Sequence, residues 1–312
     1  MIQVSASGPG GPMMNRATAT PGSRPAASGL DRQGAVMSYR TLIVHLDDSQ
    51  RCRTRTALAL ALSARWNAHL IGLYVVCQDL LEPLRRPGEP LALGEYERLG
   101  EQRRTAAEQR FLAAAEAAGR SVQWQAPAGD AVRTVIRHAH HADLMLLGQE
   151  DPNDRLSHVA GHFVEDVVMG AGRPILVLPR AGAVASCGEN VLVGWDGKRE
   201  AARALADALP LLAHAHLVNV VTVEHGGTDP DAPAGVDVAA YLERHRVRAA
   251  FSTVPRERAA GTGASLLDRA AELHADLIVM GLYSHARRYE RILGGATRTV
   301  LDRMTVPVLF SH

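Results

Sequence analysis

The chain has 312 residues, enough for about two domains of ordinary size. Hydrophobic residues make up 46% and aromatic residues only 4%, so each domain can bury a core that is mainly aliphatic. The formal net charge of +1 offers no overall basic surface for nucleic acid or lipid, and no apolar run is long enough to span a bilayer. The composition predicts a soluble protein that binds neither.

The first 37 residues differ from the rest. They are rich in Gly, Pro, Ser, Ala and Thr, a composition that buries too little surface to offset its ordering entropy. They also lack the continuous apolar stretch of a signal peptide. Residues 1–37 are therefore predicted to be a disordered tail or the product of a start codon assigned too far upstream.

Strands and helices are predicted to alternate from Tyr39 onward. Short apolar runs indicate strands buried on both faces of a sheet, and Ala/Leu-rich segments indicate helices. The main predicted elements of the first part are a strand at 41–47, a helix at 54–67, and strands at 69–76, near 122–125, at 143–148 and at 173–178.

The same order returns after Gly188. Its main predicted elements are a strand at 190–196, a helix at 200–213 that Pro210 is expected to kink, and strands at 216–223, near 247–251, at 276–281 and at 306–310. The chain thus divides into two domains, 38–180 and 190–312, joined by a linker at 181–189. The alternation predicts an α/β fold with two tandem, doubly wound, open parallel sheets.

The last strand of each repeat, 174–178 and 307–310, carries a run of aliphatic residues at the edge of its sheet. Unpaired backbone groups at such an edge need cover. The two strands are expected to pair with each other, which would make the chain a pseudo-dimer of its own repeats. A homodimer is a further possibility.

Ligands of open parallel sheets bind outside the carboxyl ends of the strands, where the winding reverses. The first strand of each repeat ends there in an aspartate, Asp47 or Asp196, whose carboxylate can accept hydrogen bonds from a ribose or a base amine. The fourth strand ends in Gly148 or Gly281. A helix then begins at Gly161 or Gly294, and its N-terminal N–H groups can hold phosphate.

The spacing is identical in both repeats: Gly148-x2-Asp151-x9-Gly161 and Gly281-x2-Ser284-x9-Gly294. It resembles the phosphate-binding signature of the ATP-binding universal stress proteins, Gly-x2-Gly-x9-Gly-Ser/Thr, and the resemblance covers nearly all of 39–312. It implies a fold like that of the adenine-nucleotide alpha hydrolases, a cytoplasmic stress-response role, slow or no ATP hydrolysis, and ATP or another adenine nucleotide as ligand, with Mg²⁺ as a possible companion.

The second repeat is the better candidate for that ligand. Residues 149–160 hold three acids and one arginine, a net charge of −2, whereas 282–293 hold three arginines and one acid, a net charge of +2. An acidic loop repels a triphosphate. The resemblance implies a site formed by Asp196, Val221, Gly281, Ser284, Arg287, Gly294, Gly295 and Thr297. The equivalent residues of the first repeat, Asp47, Gly148 and Gly161, belong to a degenerate copy.

Other functions fit the sequence less well. Phosphoacceptor receiver domains need a third aspartate and a lysine at strand ends, and Lys198 is the chain's only lysine. Adenylate-forming enzymes and pyrophosphatases of similar architecture carry motifs that the exits of the first strands lack. No nucleophile–base pair, metal-ligand spacing or CxxC pair is visible, so no catalytic or metal residue is assigned. A ligand-free protein-interaction module remains an alternative.

Overall fold

The computed structural model describes residues 38–76, 93–154, 161–224, 235–256, 261–282 and 294–312. These residues belong to one structural unit, Val36–His312. The predicted tail, 1–37, lies outside the described residues, and so do the predicted site residues Ser284 and Arg287.

The described residues of the first half form five strands and four helices in strict alternation. They are β1 (Thr41–Leu46), α1 (Cys52–Trp66), β2 (His69–Tyr74), α2 (Leu93–Ala117), β3 (Val122–Gln125), α3 (Ala131–Ala139), β4 (Leu144–Gly148), α4 (Phe163–Gly170) and β5 (Ile175–Leu178).

The second half repeats this order among its described residues. Its elements are β6 (Asn190–Gly194), α5 (Arg199–Leu212), β7 (Leu217–Val223), α6 (Gly235–Arg244), β8 (Ala249–Val254), α7 (Gly261–Glu272), β9 (Leu277–Gly281), α8 (Gly295–Arg303) and β10 (Val308–Ser311). The predicted alternation is confirmed, and the helices expected at 54–67 and 200–213 lie within two residues of α1 and α5.

The ten strands form one continuous sheet in the order β3-β2-β1-β4-β5-β10-β9-β6-β7-β8. Strands are parallel within each half, so each half is a five-stranded doubly wound sheet, as the sequence predicted. The winding reverses between β1 and β4 and between β6 and β9. The carboxyl ends of these two strand pairs are therefore where a ligand of this fold is expected.

The two halves meet through β5 and β10, which pair antiparallel at the centre of the sheet. Ile175 lies opposite Phe310 and Val177 lies opposite Val308, and all four side chains are fully buried. The expectation that these strands pair edge to edge is confirmed. Each strand covers the edge that the other would leave open.

A polar contact beside this strand pair also joins the two halves of the chain. Gln149, the residue after β4, is buried, and its side-chain amide donates to Leu301 O at 2.6 Å and to Asp302 O at 3.2 Å. Its amide oxygen accepts the backbone N–H of Arg180 at 2.8 Å. The first half thus satisfies carbonyl groups at the C-terminal end of α8, which otherwise have no intrahelical partner.

Two hydrophobic layers cover the faces of the sheet, and each runs through both halves. Residues of α1, α2, α5 and α6 pack on one face, and residues of α3, α4, α7 and α8 pack on the other. The layers are mainly aliphatic, as the composition predicted. A parallel sheet needs both faces covered, and this arrangement supplies the cover.

The repeated aspartates Asp143 and Asp276 have a structural role at the opposite, amino end of the sheet. Asp143 accepts the backbone N–H groups of Arg40 and Thr41, which lead into β1. Asp276 accepts those of Gly188, Glu189 and Asn190, which lead into β6. Each carboxylate fixes the entry of the chain into the first strand of its repeat.

Candidate functional site

Each half has a cleft at the point where its winding reverses. The second cleft has an empty volume of about 270 Å³ and is lined by Gly194, Trp195, Asp196, Val221, Val223, Thr262, Leu266 and Met280. The first cleft measures about 390 Å³ and is lined by His45, Asp47, Ser49, Arg51, Arg55, Gly148, Gln149, Glu150, Asp151, Asp154 and Phe163. Because both volumes include open space, their difference does not decide which cleft binds a ligand; the chemistry of the walls does.

Asp196 supplies a carboxylate in the second cleft with one oxygen that accepts no hydrogen bond from the described residues. Its Oδ1 accepts the backbone N–H of Lys198 at 3.0 Å, and the Lys198 ammonium stands 3.6 Å from Oδ2. The side chain is only 11% exposed, and Oδ2 is buried without a hydrogen-bond partner among the described residues. The indole N–H of Trp195 is likewise buried and has no hydrogen-bond partner among the described residues. A buried donor and a buried acceptor in this cleft, neither with a hydrogen-bond partner among the described residues, suit a ligand that brings the complementary groups. The first cleft has buried donors of the same kind, Arg51 Nη2 and the ion-paired Arg55 Nη2, but no such acceptor.

The start of α8 offers a second polar feature. Gly294 is the N-cap, and no described side chain caps it. A Cβ added at Gly295 would meet no described atom within 4 Å, so no described side chain or backbone crowds this side of the first helical residue. Thr297, by contrast, is completely buried. Helix N-termini with open space before them can bind anions.

Val221 and Gly281 are both packed closely against neighbouring parts of the chain. The Val221 side chain is fully buried in the cleft wall, and its carbonyl accepts the Trp195 N–H at 2.9 Å. A Cβ on Gly281 would collide with the backbone of Glu200 and lie 2.6 Å from Ala201 N. The close approach that this glycine permits is therefore that of α5 to the strand.

Asp47 is satisfied entirely within the first repeat. Its Oδ2 forms an ion pair with Arg55 Nη2 at 2.9 Å, and its Oδ1 accepts both the backbone N–H and the hydroxyl of Ser49, at 3.0 Å and 2.5 Å. Burial raises the pKa of the Asp47 carboxyl, but Arg55, with smaller contributions from His45 and Ser49, outweighs this effect and holds the pKa below its ordinary value. This carboxylate is charged and already has its partners.

His45 fills the space next to that ion pair. Burial lowers its pKa from 6.5 to about 4, so the imidazole is neutral near pH 7. Its Nε2 lies 2.8 Å from Val75 O, and because a carbonyl only accepts, this nitrogen carries the proton. The ring centroid lies 5.1 Å from that of Phe163, the first residue of α4.

The start of α4 is occupied by an acid of the same chain. His162, at φ 66°, precedes the helix, and its backbone N–H donates to Glu150 Oε2 at 3.2 Å. Its imidazole Nδ1 contacts Glu165 Oε2 at 3.0 Å. Carboxylate oxygens therefore stand where a phosphate would approach in this repeat. Gly161 lies beside the same acid: its added Cβ would sit 3.9 Å from Glu150 Oε1.

The two clefts differ because equivalent positions of the repeats, matched by their patterns of buried residues, carry side chains of different size. His45, Arg55 and Phe163 of the first repeat correspond to Gly194, Ala204 and Ala296 of the second. Gly148 touches the Arg55 guanidinium, whereas Gly281 touches the backbone of α5. Large side chains line the first cleft at positions where the second has small ones.

Arg55, Trp195 and the specific role of Glu150 were not identified from the sequence. Arg55 carried a usable signal, because it lies on the same helical face as the buried residues Thr56, Ala59 and Ser63. An arginine on an apolar helical face requires a buried anionic partner. The preceding strand-end aspartate is the natural candidate.

Over the part of the chain that the structure describes, no three His, Cys, Asp or Glu side chains come together as a metal-binding group. No described helix is long and apolar enough to cross a membrane.

Comparisons with known proteins agree with the geometry. The model of the Universal stress protein family matches the chain twice, at 38–179 and 188–312. Universal stress protein Slr1230 of Synechocystis sp. is 28% identical over 173 residues, a match that spans 54% of this chain and 57% of that protein.

Solved structures share the fold of the whole tandem chain. A universal stress protein from Archaeoglobus fulgidus DSM 4304 superposes with a TM-score of 0.67 at 19% identity, covering 87% of this chain and 97% of its own. A putative universal stress protein from Pseudomonas aeruginosa UCBPP-PA14 gives 0.59 at 14% identity, covering 88% and 93%. With two copies of the family's domain in one sheet, the chain belongs to the universal stress protein family.

Proposed function

We propose that the second repeat binds an adenine nucleotide, ATP or a related molecule, and that the protein acts as a nucleotide-responsive regulatory or protective protein of the stress response in the cytoplasm. The observation that carries this proposal is Asp196 Oδ2, a buried carboxylate oxygen in the second cleft without a hydrogen-bond partner among the described residues. A ribose hydroxyl or a base amine would satisfy it, at a gain of about 1.5–3 kcal/mol for a bond to a charged acceptor.

The rest of the second cleft suits such a ligand. Trp195 and Val221 line it, and Gly194 leaves room that His45 takes up in the first repeat. The N–H groups at the start of α8, next to Gly295, would hold phosphate oxygens. Mg²⁺ would accompany a triphosphate mainly through the phosphate oxygens.

The first repeat is proposed not to bind nucleotide. The Arg55 guanidinium is already paired with the Asp47 carboxylate that would bind the ribose. The Glu150 carboxylate already accepts the N–H at the start of α4 that would bind phosphate. A nucleotide would have to displace both contacts and then face the uncompensated acids. One nucleotide per chain is the expected stoichiometry.

A binding role is favoured over an enzymatic one. Membership in the universal stress protein family supports a stress-response role, and the second cleft offers hydrogen-bonding groups without a nucleophile paired to a base among its described lining residues. We propose at most slow hydrolysis of the bound nucleotide. The strand pair β5–β10 acts as the domain contact of a pseudo-dimer, and a homodimer would form through other surfaces.

Titration calorimetry of the full chain with ATP, ADP, AMP and cyclic AMP tests this proposal. We expect one site, and we expect Asp196→Ala to weaken binding about 10- to 100-fold because it removes the acceptor. The matched control is Asp151→Ala, in the first repeat. Two sites per chain, or equal sensitivity to both substitutions, would contradict the proposal. Absence of heat with all four nucleotides would favour the ligand-free interaction module.

A further inference from the structure

Strand β8 is one end of the ten-stranded sheet. Within the described residues its one neighbouring strand is β7. Val254 O accepts the Glu224 N–H at 2.9 Å, so Val254 directs its backbone groups towards β7. Because alternate residues of a strand direct these groups to opposite sides, Ala249, Phe251 and Thr253 present theirs to the open edge.

The side chains of β8 include no charge or proline that would prevent another strand from pairing with that edge. The strand reads Ala-Ala-Phe-Ser-Thr-Val, six residues without a charge or a proline. Phe251 is 42% exposed, and Leu217 on the neighbouring β7 is 44% exposed. Proteins normally protect an edge of this kind with charges, prolines, bulges or a covering element. An unprotected, uncharged edge strand is suited to pairing with an added strand.

The opposite end of the sheet is built differently. Strand β3 has only four residues, and Trp124 on it stacks on Tyr74 with ring centroids 5.8 Å apart. Phe111 of the long helix α2 lies 6.2 Å from the same ring. One edge strand is thus short and carries a tryptophan packed with other aromatic side chains on the face of the sheet, while the other is longer and pairs on its outer side with no described strand.

Exposed arginines stand on both sides of β8 in the sequence. Three precede the strand and one follows it, and none forms an ion pair with another described residue: Arg244, Arg246, Arg248 and Arg256. The exposed acids next to them among the described residues are Glu224 and Glu243, so the described surroundings of the strand remain basic. An uncharged centre with basic ends complements an uncharged segment with acidic ends.

We propose that β8 is a docking edge for an extended peptide segment of another protein, one with small or apolar residues at its centre and acidic residues at both ends. The segment adds an eleventh strand through the outward backbone groups of Ala249, Phe251 and Thr253. Its acidic ends meet the flanking arginines. This interaction is separate from the second cleft and does not depend on nucleotide binding.

Two other occupants fit the charges less well. Antiparallel pairing of two copies through β8 would bring Arg248 of one copy towards Arg256 of the other, and like charges repel. The chain's own residues 1–37 contain three arginines and one aspartate, so they carry the same sign of charge as the edge.

The first test measures binding of a fluorescent nine-residue peptide of alternating Val and Thr with two aspartates at each end, by anisotropy with the full chain. Thr253→Pro removes an outward N–H and leaves the bonds to β7, so it should weaken binding at least 10-fold. Thr253→Ala keeps the N–H and should bind like the unchanged protein. A peptide N-methylated at alternate residues repeats the test on the unchanged protein and should also lose binding.

The second test addresses charge. The double substitution Arg248→Glu and Arg256→Glu should weaken binding at least fivefold and remove its salt dependence, whereas Arg133→Glu with Arg137→Glu, the same charge change on α3, should not. No binding, or binding that Thr253→Pro and N-methylation leave unchanged, would overturn the proposal. Displacement of the peptide by a single-stranded oligonucleotide would overturn it in favour of nucleic acid. A dimer in sedimentation that Thr253→Pro abolishes would assign the edge to a second copy.

Discussion

The two repeats carry the same motif at the same place in the sheet but differ in what surrounds it. In the first, Asp47 is paired with a buried arginine, and the backbone N–H at the start of α4 donates a hydrogen bond to a glutamate of the same chain. In the second, Asp196 keeps a buried oxygen that stands 3.6 Å from the Lys198 ammonium and has no hydrogen-bond partner among the described residues, and a side chain on the first residue of α8 would meet no described atom within 4 Å. A strand-end aspartate and a spaced glycine mark a position in the fold; the neighbouring side chains decide whether a ligand can use it.

The largest effect is expected from breaking the junction that joins the repeats. Val308→Lys would bury an ammonium group in β10 where a fully buried valine now packs against β5. Lost packing and desolvation of the charge should together lower the free energy of unfolding by about 5 kcal/mol or more. Urea denaturation measures the loss, and limited proteolysis should show faster cleavage at residues 180–189.

Thr305→Lys is the matched control, since it adds the same group at an exposed position three residues upstream. It should leave both the denaturation midpoint and the digestion pattern unchanged. If Val308→Lys also leaves them unchanged in a folded protein, the two repeats are not held together by this strand pair.

The ion pair between Arg55 and Asp47 in the first cleft can be broken by Arg55→Ala. This substitution leaves the buried Asp47 carboxylate without its ion pair, and we expect a loss of about 3–5 kcal/mol in the free energy of unfolding. The exposed Arg104→Ala, which removes a surface ion pair on α2, should have no measurable effect in the same denaturation experiment. For the same reason Asp47→Ala should destabilise the fold, so it cannot serve as a silent control for nucleotide binding.

The pH dependence of stability sharpens the same contrast, because the position of His45 is taken by a glycine in the second repeat. The pKa of His45 is about 4 in the folded protein and 6.5 in the unfolded chain, so below pH 6.5 the unfolded chain binds the extra proton. Stability should therefore fall as the pH drops from 6.5 towards 4, by about 3 kcal/mol in total from this residue.

Denaturation midpoints of the parent protein and of His45→Gln, measured between pH 4.5 and 7, test this expectation. Glutamine can still donate to Val75 O but does not titrate, so its profile should be flatter. Parallel profiles for the two proteins would show that His45 is not the group responsible.

The smallest effect is expected at Gln149, which bonds the first repeat to the end of α8. Gln149→Ala removes donors to the carbonyls of Leu301 and Asp302 and should lower the free energy of unfolding by about 1–2 kcal/mol. Gln123→Ala, which removes an exposed hydrogen bond to His69, is the control and should cost much less. Equal losses would mean that the contact with α8 contributes nothing specific.

The sequence predicted the fold well because its strongest signals are local and repeated. Buried strands such as 41–46 read as continuous apolar runs, and the second copy of each pattern confirmed the first. The pairing of β5 with β10 followed from their aliphatic edges. The role of Asp143 and Asp276 could not be read in this way, because their partners are backbone groups whose positions depend on the folded sheet.

The site was predicted less completely for a related reason. The motif located the two clefts, but the pairing of Arg55 with Asp47 and of Glu150 with the start of α4 depends on how each loop folds back on the helix that follows it, which the motif does not encode. Gly281 shows the limit of motif reasoning. The motif predicts that this glycine leaves room for a ligand, whereas in the structure the backbone of α5 lies against it.

The most direct test of the central claim, that the second repeat alone holds nucleotide, is calorimetry with ATP on Gly295→Glu. Because a Cβ at this position meets no described atom within 4 Å, the fold should be kept while a carboxylate takes the start of α8, as Glu150 does in the first repeat. Gly295→Ala, the control, should bind one ATP per chain, and Gly295→Glu should bind none. One full site remaining in Gly295→Glu would place nucleotide in the first repeat and contradict the account.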